Sequence, residues 1–278
     1  MRSFLNFSLS IVLFLFAASS EAAFTADPSY QDTIGPNINV GKASLFSVLS
    51  YGDLNQYDNT VTGPSIIHGN VGIGGNGNFS MSDGDLFGDL YVHQGAKVTF
   101  SGPAKLHGNQ YSFADNSASP INQALQDAWS LSAKAAGEIA TGPGSYSVTQ
   151  GTFNGSTFNS GQSASIFSSG RVVLNLQDFV MTSGTFTLQG TASTTYIINV
   201  GRNFSLNNSS IQLSGVMSSQ VLFNIKGAGS QVSLNQGTSM GGILLAAQRK
   251  VDLSGGKVYG RLFGNQVNIT SGGQVVSQ

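Results

Sequence analysis

A short phrase returns along this chain at a nearly constant interval: Ile67-His68-Gly69-Asn70, Leu86-Phe87-Gly88-Asp89 and Leu106-His107-Gly108-Asn109. The three glycines fall 19 and 20 residues apart. The first and third copies also share their approach, Thr62-Gly63-Pro64-Ser65-Ile66 against Ser101-Gly102-Pro103-Ala104-Lys105. A unit this short cannot bury its own apolar face, so copies have to stack. A period near 20 with Gly corners predicts a solenoid in which every turn adds one rung. Between the copies, Phe79-Ser80-Met81 and Val98-Thr99-Phe100 alternate apolar and polar residues, again 19 apart, as strands with one buried side do. Leu45 to Leu49 reads as the first strand, after a lead-in broken by Pro28 and Pro36.

One segment departs from the pattern. Ser119 stands at a helix N-cap with Pro120 at the first helical position. Ile121, Ala124, Leu125, Ala128, Ser132, Ala135 and Ile139 then recur at helical spacing. One amphipathic helix over 119–140 follows, with small residues suited to lying close against a sheet. From Tyr146 the strand pattern resumes in two series. Phe186-Thr187-Leu188, Phe204-Ser205-Leu206, Val232-Ser233-Leu234, Val251-Asp252-Leu253 and Val267-Asn268-Ile269 form the first; runs such as Tyr196 to Val200, Val221 to Ile225 and Gly242 to Leu245 form the second. Apolar residues on one side should face the interior and polar ones the solvent; in Val221 to Ile225 this puts Phe223 inside and Leu222 and Asn224 on the other side.

Only 9% of the residues are charged, while 36 of 278 are Gly. Disorder is excluded by 40% hydrophobic residues, 18 of them Phe. The net charge is −1 and no basic run occurs, so attraction to nucleic acid or anionic lipid has no electrostatic source. Arg2, the apolar stretch Leu5 to Ala18 and the small-x-small Ser20-Glu21-Ala22 read as a cleaved export signal over 1–22. Cysteine is absent, which removes disulfides and thiolate metal sites. The expected organisation is an all-β, single solenoid domain over 23–278, secreted and without a membrane anchor. Its first coils cover about 43–118, the flanking helix 119–140 and the remaining coils 141–278.

Ala43 to Leu49 followed by Gly69-Asn70-Val71-Gly72-Ile73-Gly74 resembles the opening of two related secreted families, the microbial ice-binding-like family and the choice-of-anchor A adhesive domain. The helix after the first coils resembles both as well. So does the ending, Gly242 to Ala246 with Leu253-Ser254-Gly255-Gly256-Lys257-Val258-Tyr259-Gly260-Arg261. The resemblance covers most of 45–276. It implies a discontinuous β-solenoid of triangular section with a long helix along one side. Its motifs are Gly turns and apolar positions, which specify a fold and not a ligand. The sequence ends in Ser277-Gln278 with no sorting tail, so wall attachment does not carry over from anchored members.

Candidate chemistry is sparse. His68, His93 and His107 lack metal-type spacing, and His68 and His107 occupy equivalent places two coils apart, about 10 Å, too far to share an ion. Asp83, Asp85 and Asp89 could approach Ca²⁺ or form the carboxyl pair of a polysaccharide-active solenoid enzyme. Turns favour Asp for backbone reasons, however, and the calcium nonapeptide is missing. Asp178 and Asp252 are the acids of the second half, and neither belongs to an acidic cluster. No nucleophile elbow or nucleotide loop occurs. No catalytic, cofactor or metal residue is therefore assigned. The composition fits a non-catalytic protein that binds an extended surface or polymer, glycan or matrix, with an adhesive role. The alternative is ice binding, for which Thr60-Val61-Thr62 and Thr185-Phe186-Thr187 are the relevant pairs.

Overall fold

A computed structural model of the chain describes residues 37–52, 58–75, 77–142, 147–150, 157–161 and 163–277. The expected export signal lies outside these residues. The described chain is a β-solenoid of about 9 turns with one helix and 54% of residues in strands. At the roughly 4.8 Å spacing of neighbouring strands, the stack is about 40 Å tall.

Three series of parallel pairings define three faces. The first runs from Gln110–Phe113 through Leu90–His93, Asn70–Ile73 and Phe46–Ser50, then across to the second half of the chain. The second contains Val98–Ser101, Asn78–Ser82 and Asp58–Val61 followed by the ends of Lys257–Thr270 and Ser239–Ser254. The third contains Lys105–Leu106, Asp85–Leu86, Ile66–His68 and Gln274–Val276, and continues to Gly184–Gln189 and Ala164–Phe167. There the antiparallel strand Ser147–Gln150 joins it.

The order of rungs is not the order of the sequence. Val48 pairs with Leu262 and Leu49 with Phe263, so the first coil stacks on the last. The N-terminal coils wind away from that junction, the helix Pro120–Gly137 returns along the first face, and the second half winds back to meet the start. At 18 residues the helix is about 27 Å long, the height of about five or six rungs. It is shorter than the expected 119–140: Glu138 is its C-cap, and Ile139, assigned above to its apolar stripe, is 91% exposed. The other members of the stripe hold, with Ile121, Ala124, Leu125, Ala128 and Ala135 buried. The coil length also varies. Equivalent residues lie 19 and 20 apart in the first half but 24 and 25 apart in part of the second.

The repeated Gly-Asn/Asp phrase has a direct cause. A Cβ on Gly88 would lie 2.4 Å from the Gly69 carbonyl group, and one on Gly108 would lie 2.3 Å from the Gly88 oxygen. Corners on adjacent rungs come too close for any side chain. The next residue then ties the rungs together: Asn70 Oδ1 accepts the Asp89 N–H at 2.9 Å, and Asp89 Oδ1 accepts the Asn109 N–H at 2.8 Å.

Two apolar cores result. Inside the coils Phe158, Phe179, Phe186, Phe204 and Phe223 pack ring against ring. Between the first face and the helix, Val173, Ile197, Leu222, Ile243 and Phe263 meet Ile121, Leu125 and Leu131. Leu222 and Phe223 thus point to opposite cores, as alternation requires.

Asn224 does not face solvent. Asn175, Asn199 and Asn224 stand on successive rungs under the helix and form a ladder. Asn224 Nδ2 donates to Asn199 Oδ1 and Asn199 Nδ2 to Asn175 Oδ1, both at 2.8 Å. The same three amides donate to the helix-end carbonyls of Ser132, Ala135 and Glu138. Asn199 and Asn224 are fully buried, so these bonds replace water for groups that would otherwise be stranded. Asn199→Leu should lower stability by about 1–3 kcal/mol, since it strands an amide hydrogen of the buried Asn224 while keeping side-chain volume. Urea unfolding checks this; a midpoint equal to the wild type would mean that the ladder adds nothing.

Candidate binding faces

The helix covers most of the first face, which leaves the second and third faces to meet a ligand. On the second face, Ser205, Ser233, Asp252 and Asn268 occupy matched register positions on consecutive rungs, with apolar Val180 at one end, and Ser80 and Thr99 continue the column beyond the Asp58–Val61 strand. None is aromatic or longer than Asn, so the column presents a level polar strip with a rung repeat of about 4.8 Å. Inward neighbours such as Phe179, Phe204, Leu253 and Ile269 are buried and hold the strip rigid. Its middle carries charge: Lys250 Nζ lies 3.2 Å from Asp252 Oδ1, which also accepts from Asn268 Nδ2 at 2.8 Å.

The third face is rougher. Gly241, Tyr259, Val276 and His68 share one register column. Beyond them His68, Phe87 and His107 form a stack, with ring centroids 4.9 and 4.2 Å apart and planes within 12° of parallel. The two imidazoles are thus separated by a phenyl ring rather than converging on a common point. His107 Nε2 is 2.8 Å from Asp85 Oδ1. His93 sits apart from this column, buried at the end of a first-face strand, with Nδ1 3.8 Å from Asp115 Oδ1.

The acidic trio is spread over three duties. Asp83 occupies a left-handed turn at φ 57°, Asp85 pairs with His107, and Asp89 belongs to the corner ladder. No group of three or more His, Asp or Glu residues that could hold a metal ion occurs among the described residues. Asp178 is buried and bonded to Arg202, which holds its carboxyl below the ordinary range against the opposing effect of burial. The Asn203 backbone and side-chain N–H groups also donate to Asp178, at 3.2 and 2.8 Å. Such an acid is held ionised, whereas a general acid has to be kept protonated. Tyr196, buried in the interior, has its hydroxyl pushed up to about 12 by burial and is a structural hydrogen-bond donor to Gln189 O.

Sequence reasoning missed Arg249. It is 2% exposed, and burial lowers its pKa. All five of its N–H donors are engaged by backbone carbonyls. Nε donates to Gly227, Nη2 to Gly201 and Lys226, and Nη1 to Arg202 and Ser230. Between Gln248 and Lys250 it reads as a solvated surface residue, and no local signal marks it otherwise.

The architecture is that of a discontinuous β-solenoid rod with a helix laid along one face and two open faces. Its sequence places it more narrowly: the chain belongs to the family described as "Putative Ice-binding-like adhesive domain", whose model matches residues 39–276. No match was found among curated proteins. Among solved structures, the fold is similar to that of an ice-binding protein from the Antarctic ascomycete Antarctomyces psychrotrophicus. That likeness has 16% identity and TM-score 0.54, covering 86% of this chain and 98% of that one. An ice-binding protein from an Arctic yeast is similar at 16% identity and TM-score 0.53, covering 89% and 96%. At this identity the likeness establishes the fold alone.

Proposed function

We propose that this chain is a non-catalytic, exported protein that binds an extended polymer surface through its second face, in an adhesive role. One observation carries the reading: the level, rigid strip of short polar side chains that runs along the second face. Such a strip offers many weak hydrogen bonds in series, and their repetition rather than any one contact supplies affinity. The adhesive description of the family, the apolar leader and the low net charge point the same way. Among the described residues no helix is long and apolar enough to cross a membrane.

Ice is the second reading. It is favoured by the flatness of the strip and by the ice-binding solenoids that share the fold. The Lys250–Asp252 pair in the middle of the strip counts against it, since charges orient water around themselves rather than in an ice-like lattice.

The test compares wild type with Ser233→Tyr, which places a bulky ring in the strip, for retention on insoluble glycans and matrix proteins and for ice recrystallisation inhibition. Retention should fall at least about tenfold in Ser233→Tyr, as expected when a flat contact is held off by one side chain. Single replacement of His68, His107, Asp83 or Asp85 should leave retention unchanged. Loss of ice activity in Ser233→Tyr, with no retention on any polymer by the wild type, would put ice in place of the polymer. Polymer turnover that vanishes with Asp83 or Asp85 would make the protein an enzyme.

A further inference from the structure

The third face holds a feature that the level second face lacks. Beside Tyr259 lies a shallow, open groove of about 430 Å³. Its walls include Gln212, Leu213, Ser218, Ser239, Gly241 and Tyr259. Two features make it: strand Ser209–Ser214 pairs with Ser239–Ser254 only through Ser210 and Ile211, and Gly241, just beyond, has no side chain. In parallel stacking, side chains in a register column rest on one another from rung to rung. Tyr259 pairs in register with Gly241 on one side and Val276 on the other, so towards Gly241 no side chain of its own column covers the ring. Leu213 leans across the vacated place: a Cβ on Gly241 would lie 2.8 Å from Leu213 Cδ1. Tyr259 is 38% exposed and Gln212 is exposed, so ring and amide are both open to a ligand.

We infer that this groove is a binding subsite for a neutral saccharide, which stacks a pyranose ring on Tyr259 and hydrogen-bonds to Gln212 and Ser239. The chemistry selects this class. An aromatic ring suits the apolar C–H side of a sugar, while amide and hydroxyl groups match its hydroxyls. The polar side chains that line the groove are all uncharged, which suits a neutral ligand, with Lys257 in register with Ser239 as the nearest cation of its strand. The rival ligand is an extended peptide, which could add main-chain hydrogen bonds only along the short stretch 212–214, where pairing with Ser239–Ser254 has ended, and the experiment therefore includes one. Val276, His68 and Phe87 continue from Tyr259 along the stack, so a longer chain gains contacts as it follows the rod. The inference deepens the polymer-binding reading and rests on it only for the kind of ligand; the subsite is on another face.

The experiment titrates neutral hexasaccharides of glucose, xylose, mannose and N-acetylglucosamine, and one uncharged hexapeptide, into the protein by calorimetry and saturation-transfer NMR. Alongside it, wild type and variants are tested for retention on insoluble polymers. At least one hexasaccharide should bind, more tightly than its disaccharide. Tyr259→Ala and Gln212→Ala should each weaken binding about tenfold or more, and Tyr259→Phe should stay within about threefold. Equal unfolding midpoints exclude damage to the fold as the cause, and Gln212, being exposed, provides the test if Tyr259→Ala misfolds. Saccharide binding untouched by either variant, peptide binding in place of saccharide, or no soluble ligand bound would each overturn the subsite. In these cases retention of the wild type on polymer, lost in Ser233→Tyr, leaves the polymer-binding reading standing. Failure of retention with Tyr259-dependent saccharide binding intact would remove the second-face reading and keep the subsite.

Discussion

Arg249→Met should lower the stability of the protein by about 3 kcal/mol or more, as expected when several buried carbonyls lose a charged donor. The guanidinium has no carboxylate partner in its hydrogen-bond set; five carbonyl dipoles hold it instead. Those carbonyls come from Gly201, Arg202, Gly227, Lys226 and Ser230, so one side chain fastens neighbouring corners where the chain turns between the first and second faces. Methionine fills much of the same volume and relieves the desolvation of the charge, yet it offers the carbonyls nothing. Arg249→Lys should fall between, because an ammonium has three donors and no planar fork. Urea unfolding followed by circular dichroism measures both. A Met variant as stable as the wild type would show that water satisfies the corner carbonyls and that the arginine is dispensable.

Phe223→Ala should cost about 3–5 kcal/mol, the usual range for emptying a phenyl site in a core. Phe223 is fully buried and packs edge-on against Phe179 and Phe204, with ring centroids 5.7 and 5.6 Å away. Its neighbour Leu222 gives the control. Leu222→Ala opens the core beneath the helix and leaves the interior stack intact. Trp129 packs against that outer core, so its fluorescence should report the Leu222 change at lower denaturant than the strands unfold. An unchanged unfolding midpoint for Phe223→Ala would contradict the strand register itself.

What could be read from the sequence was whatever leaves a local trace. The corner glycines and the residues after them repeat because neighbouring corners touch, so the coil and its period are visible at 69, 88 and 108. Alternation in Val221–Ile225 separates Leu222 from Phe223 without any knowledge of what each side meets. The repeated phrase also puts His68, Phe87 and His107 in one column, though not their parallel stacking. The pairing of Val48 with Leu262 leaves no trace, because parallel strands join through long crossover connections with no fixed upper length and nothing in either segment names its partner. Asn199 and Asn224 misled for a related reason. A polar residue that alternates with apolar ones looks solvent-facing, and only the arrival of the helix turns that side into an interior. The open faces are legible as polar, but the vacancy beside Tyr259 depends on which rung stacks on which.

The asparagine ladder joins two lattices of different pitch. Each step along it advances one rung, about 4.8 Å, on the sheet side, and three residues, about 4.5 Å, on the helix side. The two scales slide past each other like a vernier, by about 0.3 Å per step. Across the three asparagines the drift is about 0.6 Å, which hydrogen bonds absorb; over six rungs it would approach 1.5 Å, which they do not. The column changes character accordingly, from Asn224 to Leu245, Phe263 and Leu49, side chains whose contacts need no particular phase. The polar teeth therefore set the axial phase of the helix at one end, and greasy packing lets the rest of it run out of step.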